Sequence, residues 1–171
     1  FTDASWAKAN TATLAVDATG PDGETSAVTL VDSSAGGTGD VIVSQVYSLS
    51  LETQYTVSMF MKADQLTTSS IRFAGFTTPS DSRALFDLSA GTVTAAAGDS
   101  TTIEDYGNGW YRCAVTFTTD VADGNGIIRY AVGDEFSTVD LDGTSSILIY
   151  GAQLEEGSIP TSYIPTNGST V

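Results

Sequence analysis

Residues 107–117, GNGWYRCAVTF, alternate between two kinds of side chain. Every second residue from Tyr111 to Phe117 is apolar, whereas the intervening positions include Trp110 and Arg112. A repeat of two residues is the pattern of a β-strand, in which successive side chains point to opposite faces of a sheet. The segment therefore predicts a strand with one face in the core and a second, chemically different face outside it.

Similar short strand-like runs follow one another along the chain, separated by Gly, Pro, Asp and Asn. Residues 1–10 are expected to hold one helical turn at most. This spacing predicts an all-β fold, an antiparallel β-sandwich or barrel of about ten strands. No linker divides the runs, so residues 1–171 are predicted to form a single domain. Residues 155–171 contain Pro160 and Pro165 and are expected to lie along the surface as an extended tail.

The same alternation predicts which basic residues point away from the core. The basic residues on outward-facing strand positions are Lys62, Arg72, Arg112 and Arg129. Two interpretations stay open, because the chain has 21 acidic residues against 6 basic ones. In the first, the cations form ion pairs with neighbouring acids. Alternatively, they line one polar sheet face that binds the hydroxyls or carboxylates of a sugar.

In the last long strand-like run, ILIYGAQLEE, alternate residues are predicted to lie in the core and the residues between them on the outward face. The predicted core row is Leu148, Tyr150, Ala152 and Leu154. Gln153 then joins the outward face with the cations. Trp110 either packs over a sandwich edge or forms a stacking surface for a sugar ring. On the sugar-binding interpretation, Arg112→Ala is expected to weaken glycan binding and to leave the melting temperature nearly unchanged.

The charge and the missing residue types exclude several function classes. The net charge is −15, which disfavours nucleic acid and anionic membranes as partners. No histidine is present, so the common Ser or Cys triads and imidazole metal sites are excluded. Cys113 falls on the apolar side of its strand and is predicted to be a small core residue. Because the chain begins at Phe1 without a methionine or a signal-like segment, we expect it to be part of a larger protein.

Acidic loops leave calcium as a candidate ligand. Ca²⁺ prefers several oxygen ligands from flexible loops, and the turn DATGPDGE supplies Asp17, Asp22 and Glu24. This turn does not match a complete calcium-binding loop of known form. Most acidic turns of this kind are simply solvated. The expectation is a structural calcium ion without a catalytic role.

Four segments resemble, in this order, the jelly-roll modules at the C-termini of phage tail and virion proteins and beside marine polysaccharide-degrading enzymes. They are PDGETSAVTL, YTVSMFMKA, GNGWYRCAVTF and IYGAQLEEGSIPTSYIPT. These modules are similar to carbohydrate-binding modules of the family 4, 9 and 22 type. The resemblance covers nearly the whole chain, and the final segment is its most specific part.

The resemblance implies a two-sheet β-jelly roll without catalytic activity that attaches a larger extracellular protein, secreted or on a virion surface, to a polysaccharide. An anionic algal glycan suits the cations, with Lys62, Arg72, Trp110, Arg112, Arg129 and Gln153 as ligand-binding residues. A polysaccharide lyase or a glycoside hydrolase is then the kind of parent protein that the resemblance implies. The alternative is a structural, assembly or adhesion module of a phage virion or extracellular protein.

The resemblance also implies a calcium ion between an early loop and the last strand. Glu24 matches the early position, with Asp22 in the same turn. The acidic pair that the family carries in the last strand is missing, because this strand reads Gly151-Ala152-Gln153. Glu155 supplies an acid there only if the strand is shifted.

Overall fold

The computed structural model describes residues 1–122, 124–134 and 138–165. These residues form 14 β-strands, and none of them lies in a helix. The first seven strands are β1 (Ala7–Ala9), β2 (Val16–Thr19), β3 (Thr25–Val31), β4 (Thr38–Gly39), β5 (Ile42–Ser48), β6 (Gln54–Ala63) and β7 (Thr68–Ala74). The others are β8 (Ser82–Asp87), β9 (Thr92–Ala95), β10 (Ser100–Asp105), β11 (Trp110–Thr118), β12 (Asn125–Val132), β13 (Val139–Asp140) and β14 (Ser146–Glu156).

Two six-stranded antiparallel sheets make up most of the fold. Sheet 1 has the strand order β1-β5-β12-β7-β8-β9, and sheet 2 has the order β10-β11-β6-β14-β3-β2. The short strands β4 and β13 pair separately. Since most neighbours in each sheet are distant in sequence, the chain crosses repeatedly between the two sheets, as it does in sandwich folds.

One hydrophobic core lies between the sheets. Ile71 and Phe73 of sheet 1 are buried in the same cluster as Val57, Met59 and Phe117 of sheet 2. The ring centroids of Phe73 and Phe117 are 4.8 Å apart, so the core joins the two sheets directly. The predicted faces of β6, β7, β11 and β12 are confirmed, because the apolar residues that alternate with Lys62, Arg72, Arg112 and Arg129 pack in this core, where Tyr111 is half-buried.

The all-β antiparallel sandwich is confirmed, but it has more strands than the expected ten or so. The additional ones are the short strands β1, β4 and β13, which are too short to show an alternating pattern. Residues 1–10, which were expected to hold one helical turn at most, contain no helix, and Ala7–Ala9 form an edge strand beside β5. No helix long and apolar enough to span a membrane occurs in the part of the chain that the structure describes.

The predicted core row of β14 is wrong in its first half. Ile147 and Ile149 are fully buried in the main core, whereas Leu148 and Tyr150 pack on the opposite face of the sheet. The reason is a β-bulge: Tyr150 pairs with Phe60 but Gln153 with Ser58, so β14 holds one extra residue there.

Gly151, at φ +60°, lies in this bulge. Beyond it the side-chain order is reversed, and Ala152 and Leu154 pack against the main core as predicted.

The tail begins later than expected, because β14 continues through Glu156. The described part that follows, residues 157–165, is called the tail segment below. It lies along the surface of sheet 2, as the hydrogen bonds described below show. Residues 166–171 of the predicted tail lie outside the described residues.

Candidate functional site

The four cations predicted to share one face lie on two different sheets. Arg72 and Arg129 are in β7 and β12 of sheet 1, whereas Lys62 and Arg112 are in β6 and β11 of sheet 2. Each points away from the core that the sheets enclose, so the two pairs face opposite sides of the sandwich. The prediction of one common face is therefore wrong, because alternation gives the face within a sheet but not the sheet.

Three arginines instead form a row on the outer face of sheet 1. Arg129 is directly opposite Arg72 in the register of β12 and β7. Arg72 is in turn opposite Arg83 in the register of β7 and β8. Their strand neighbours Ile128, Phe73 and Ala84 are fully buried, which fixes the outward direction of all three arginines. We call these three residues the arginine row.

Carboxylates from the adjoining loops hold two of these guanidinium groups. Arg72 donates through Nε and Nη2 to the Asp81 carboxylate at 2.9 and 2.8 Å. Arg83 donates to Asp134 in the same two-pronged manner, at 2.5 and 2.7 Å. The third member of the row, Arg129, is not without a partner either. Like charges opposite each other destabilise a sheet, so these acids offset the repulsion within the row.

The outer face of sheet 2 is covered by the tail segment. The Thr56 hydroxyl donates to the Gly157 carbonyl at 2.8 Å, and the Thr116 hydroxyl donates to the Ser158 carbonyl at 3.1 Å. Both threonines are buried although they point away from the main core. This cover explains why the polar face of β6 and β11 is not exposed to solvent.

Arg112 lies at the centre of the contact between the tail segment and sheet 2. Its side chain is buried, with only 3% of the residue exposed. Nη1 donates to the Thr161 carbonyl at 2.5 Å, and Nη2 donates to the Ser58 hydroxyl at 3.0 Å. The guanidinium lies 5.3 Å from the centroid of the Phe60 ring, a cation–π distance. Arg112 therefore fastens the tail to sheet 2, and little of it is open to a ligand.

Glu155 and Gln153 fasten the same part of the tail. The Glu155 carboxylate accepts hydrogen bonds from the Thr161 backbone and hydroxyl, and from the Gln153 amide. Gln153 also accepts one from the Ile164 backbone at 3.0 Å. Burial alone would raise the pKa of the Glu155 carboxyl, but the bonds from Thr161 and Gln153, with the charge of Arg112, lower it below its usual value.

This lowered pKa predicts that acid weakens the attachment of the tail. The folded protein binds a proton at Glu155 less readily than the unfolded chain, whose pKa is near 4.5. The stabilisation is therefore present above that pH and is lost as the pH falls through the lower, folded pKa. We expect Glu155→Gln to melt below the wild type at neutral pH, with the difference disappearing in acid. A difference that is the same in acid and at neutral pH would contradict this role.

Trp110 belongs to a second, smaller hydrophobic cluster on the outer face of sheet 2. It packs with Ala27 and Phe60, and only 2% of it is exposed. Trp110 therefore packs against its own sheet and offers no open surface on which a sugar ring could stack. Tyr163 of the tail segment joins this cluster, with its ring centroid 6.1 Å from that of Phe60.

The predicted calcium ligands do not fit a metal site. The Asp22 carboxylate accepts hydrogen bonds within its own turn, from the Glu24 backbone at 3.0 Å and the Ser26 hydroxyl at 2.7 Å. Glu155 is occupied by the tail segment. Across the described ranges, no three acidic or cysteine side chains are grouped so that they could hold a metal ion. Asp22, Glu24 and Glu155 are thus not one ligand set, and calcium binding in general stays a prediction.

Cys113 is a core residue, as predicted. It is fully buried in the main cluster, and this burial raises the pKa of its thiol well above the ordinary value. A buried, protonated thiol is a poor nucleophile.

Sequence reasoning missed the part that Arg83 plays. The segment RALFDLS has apolar residues at Ala84, Phe86 and Leu88, so the alternation already turned Arg83 outward. What the sequence does not provide is the pairing of β7 with β8 and β12, which brings Arg83 beside Arg72. A ligand-binding role for Lys62, Arg72, Trp110, Arg112, Arg129 and Gln153 stays a prediction for each residue.

Comparison with known proteins finds similarity at the level of solved structures. No protein-family model matches the sequence, and no curated protein matches it. A structure described as "CBM4 structure and function" is 14% identical, with a TM-score of 0.46 over 80% of this chain and 72% of the other. The enzymatically active domain of tailspike protein 4 from bacteriophage CBA120 is 13% identical, with a TM-score of 0.49 over 90% of this chain and 19% of the other.

A third similar structure contains the CBM22-1 and GH10 modules of the Clostridium thermocellum endo-1,4-beta-D-xylanase 10B, complexed with xylohexaose. It is 12% identical, with a TM-score of 0.38 over 90% of this chain and 26% of the other. The chain thus spans about a fifth and a quarter of the lengths of the tailspike and xylanase structures.

Proposed function

We propose that this protein is a non-catalytic carbohydrate-binding module that holds an anionic polysaccharide on the outer face of sheet 1. The observation that carries the proposal is the register of the arginine row, Arg129 opposite Arg72 and Arg72 opposite Arg83. The chain has a net charge of −15 and only 6 basic residues, and three of them stand side by side. This arrangement concentrates guanidinium groups on one face, and guanidinium groups bind carboxylates and sulfates well.

The ion pairs of the row support a carboxylate or sulfate ligand. Arg72 and Arg83 already bind carboxylates with two parallel N–H···O bonds, which is the geometry that such a ligand would use. The Arg72 side chain is 14% exposed and that of Asp81 is 58% exposed, so the pair meets solvent on the side of the carboxylate. A ligand anion can therefore approach Arg72 from the side of Asp81.

The length of the row suits a polymer. Neighbouring strands are about 4.8 Å apart, so three adjacent strands place the Cα atoms of the outer two arginines about 10 Å apart. A chain of charged sugars can contact two or three of these groups at once, which a small anion cannot do. Uronic acid polymers and sulfated algal polysaccharides have this chemistry. The location that follows is extracellular, with this module attached to a larger protein.

Affinity gel electrophoresis tests the proposal with alginate, carrageenan and neutral xylan as probes. We expect alginate or carrageenan to retard the protein and xylan to leave it unretarded. Arg72→Gln should weaken retention about tenfold, because a hydrogen bond to a charged group contributes about 1.5 kcal/mol. Lys62→Gln is the matched control: it removes the same charge from the opposite side of the sandwich, and we expect retention close to that of the wild type.

Two results would overturn the proposal. One is no retention by either anionic polymer. The other is retention that Lys62→Gln weakens as much as Arg72→Gln, since binding would then follow overall charge. The alternative, an assembly module, predicts a stable oligomer in light scattering that Arg72→Glu dissociates, with no retention by the polymers.

A further inference from the structure

A cavity of about 290 Å³ opens at one end of the sandwich, where the two sheets separate. Sheet 1 contributes Ser82 of β8 and the β7–β8 loop, and sheet 2 contributes Thr118 of β11. Ser82 points to the same side of β8 as Ala84, which is a core residue, so it faces away from the arginine row. The end cavity therefore opens on the other side of β8 from the arginine row, although Asp81, the partner of Arg72, belongs to the same β7–β8 loop.

Hydroxyl groups make up most of the polar lining. They belong to Thr77, Thr78, Ser80, Ser82 and Thr118, and Asp99 adds a carboxylate. The buried ring of Phe117 lies at the inner end. No Arg or Lys belongs to the lining, so the cavity offers donors and acceptors for hydroxyl groups but no cation for an anion.

The Asp99 carboxylate is held in place by neighbours. The Thr118 hydroxyl donates to its Oδ2 atom at 2.6 Å, and the Gln54 amide donates to the same atom at 3.3 Å. The other oxygen of Asp99 can accept from a ligand hydroxyl without a change in side-chain position. Two fixed donors thus orient the acceptor before any ligand arrives, which lowers the entropic cost of binding.

Ser82 supplies the second observation that points to a ligand. Its Oγ atom is buried and has no hydrogen-bond partner among the residues that the structure describes. A buried hydroxyl without a partner costs about 1–3 kcal/mol, so a side-chain rotation that turns it toward a ligand hydroxyl in the cavity recovers free energy. Ser82 of β8 and Asp99 of the β9–β10 loop line the same cavity, so one polyhydroxylated molecule can then bond to both.

We propose that the end cavity binds one uncharged sugar ring, such as the terminal residue of a glycan, independently of the arginine row. Its volume lies at the small end of ligand cavities, which measure roughly 300–1,000 Å³, so a single ring fits better than a chain. The carboxylate disfavours acidic sugars. The end cavity and the arginine row therefore select opposite kinds of carbohydrate, and the inference goes beyond the proposed function.

Titration followed by ¹H–¹⁵N NMR tests the inference, with D-glucose, D-galactose, D-xylose and D-glucuronate as probes. We expect at least one neutral sugar to cause saturable shifts of the Gly98, Asp99 and Thr118 amides, and glucuronate to bind more weakly. Ser82→Val should weaken this binding at least fivefold, the equivalent of one hydrogen bond. Thr102→Val, the matched control, replaces an exposed hydroxyl on β10 and should change nothing.

Asp99→Asn is the second variant, because it keeps the size of the side chain and removes only the charge. We expect Asp99→Asn to reduce the difference between the affinities for glucose and for glucuronate. No saturable shift with any neutral sugar at tens of millimolar would overturn the inference, as would shifts that Ser82→Val and Asp99→Asn leave unchanged. Neither result affects retention by alginate or carrageenan, so failure here is distinguishable from failure of the proposed function.

Discussion

Arg112→Ala is expected to lower the free energy of unfolding by about 3 kcal/mol, through lost hydrogen bonds and a new cavity. The substitution leaves the Ser58 hydroxyl and the Thr161 carbonyl without their donor and removes the group packed against Phe60. For a chain of this length, the melting temperature should fall by about 6–12 °C. This reverses the expectation that follows from alternation alone, in which Arg112 is a ligand contact without a structural role.

Thermal unfolding followed by circular dichroism measures this effect. Lys62→Ala is the matched control, because Lys62 lies on the same face of the same sheet, directly opposite Trp110, and has no comparable burial. We expect the control to change stability by no more than about 0.5 kcal/mol. Equal, small losses for the two variants would mean that Arg112 does not fasten the tail segment.

Gly151→Val is expected to cost about 2–5 kcal/mol in the free energy of unfolding. At φ +60° a side chain adds about 1–2 kcal/mol of backbone strain. A Cβ atom at this position would also lie 3.1 Å from the Tyr163 ring and 3.2 Å from the Phe60 ring, and overpacking adds about 1–3 kcal/mol. The substitution therefore affects both the bulge of β14 and the packing of the tail segment against it through Tyr163.

Gly107→Val separates strain from crowding. Gly107 has φ +80°, but nothing lies within 4 Å of a Cβ atom built on it. We expect this control to lose only the strain component when both variants are compared by urea unfolding. If Gly151→Val is no more destabilised than Gly107→Val, Tyr163 does not pack against the bulge as described.

The fold class and four strand faces could be predicted because the physical cause is local. In β6, β7, β11 and β12 the core row alternates with a different outer row, and the β11–β6 and β12–β7 pairings keep their register throughout. In β14 the same reasoning failed for the residues before Gly151 and succeeded for those after it, because a single extra residue at the bulge reverses the face of one half of the strand relative to the other. The sequence signal for this bulge is Gly151, a glycine within an apolar run.

The candidate site could be predicted only in part, because its formation depends on long-range pairing. Arg72 and Arg129 were predicted to share a face and do so, but their neighbour is Arg83 rather than Arg112. Arg112 and Gln153 point outward from sheet 2, yet the tail segment covers them. Alternation describes one strand at a time, whereas strand order and the path of the tail depend on the whole chain.

Arginine side-chain NMR with an alginate oligosaccharide tests the central claim most directly. The protein has four arginines, and their Nε–Hε groups give separate signals: three from the arginine row and one from Arg112. Binding on the outer face of sheet 1 predicts that the signals of Arg129, Arg72 and Arg83 shift together along one saturation curve, while the signal of Arg112 stays in place. A shift of the Arg112 signal alone, or no shift of any of the four, would contradict it.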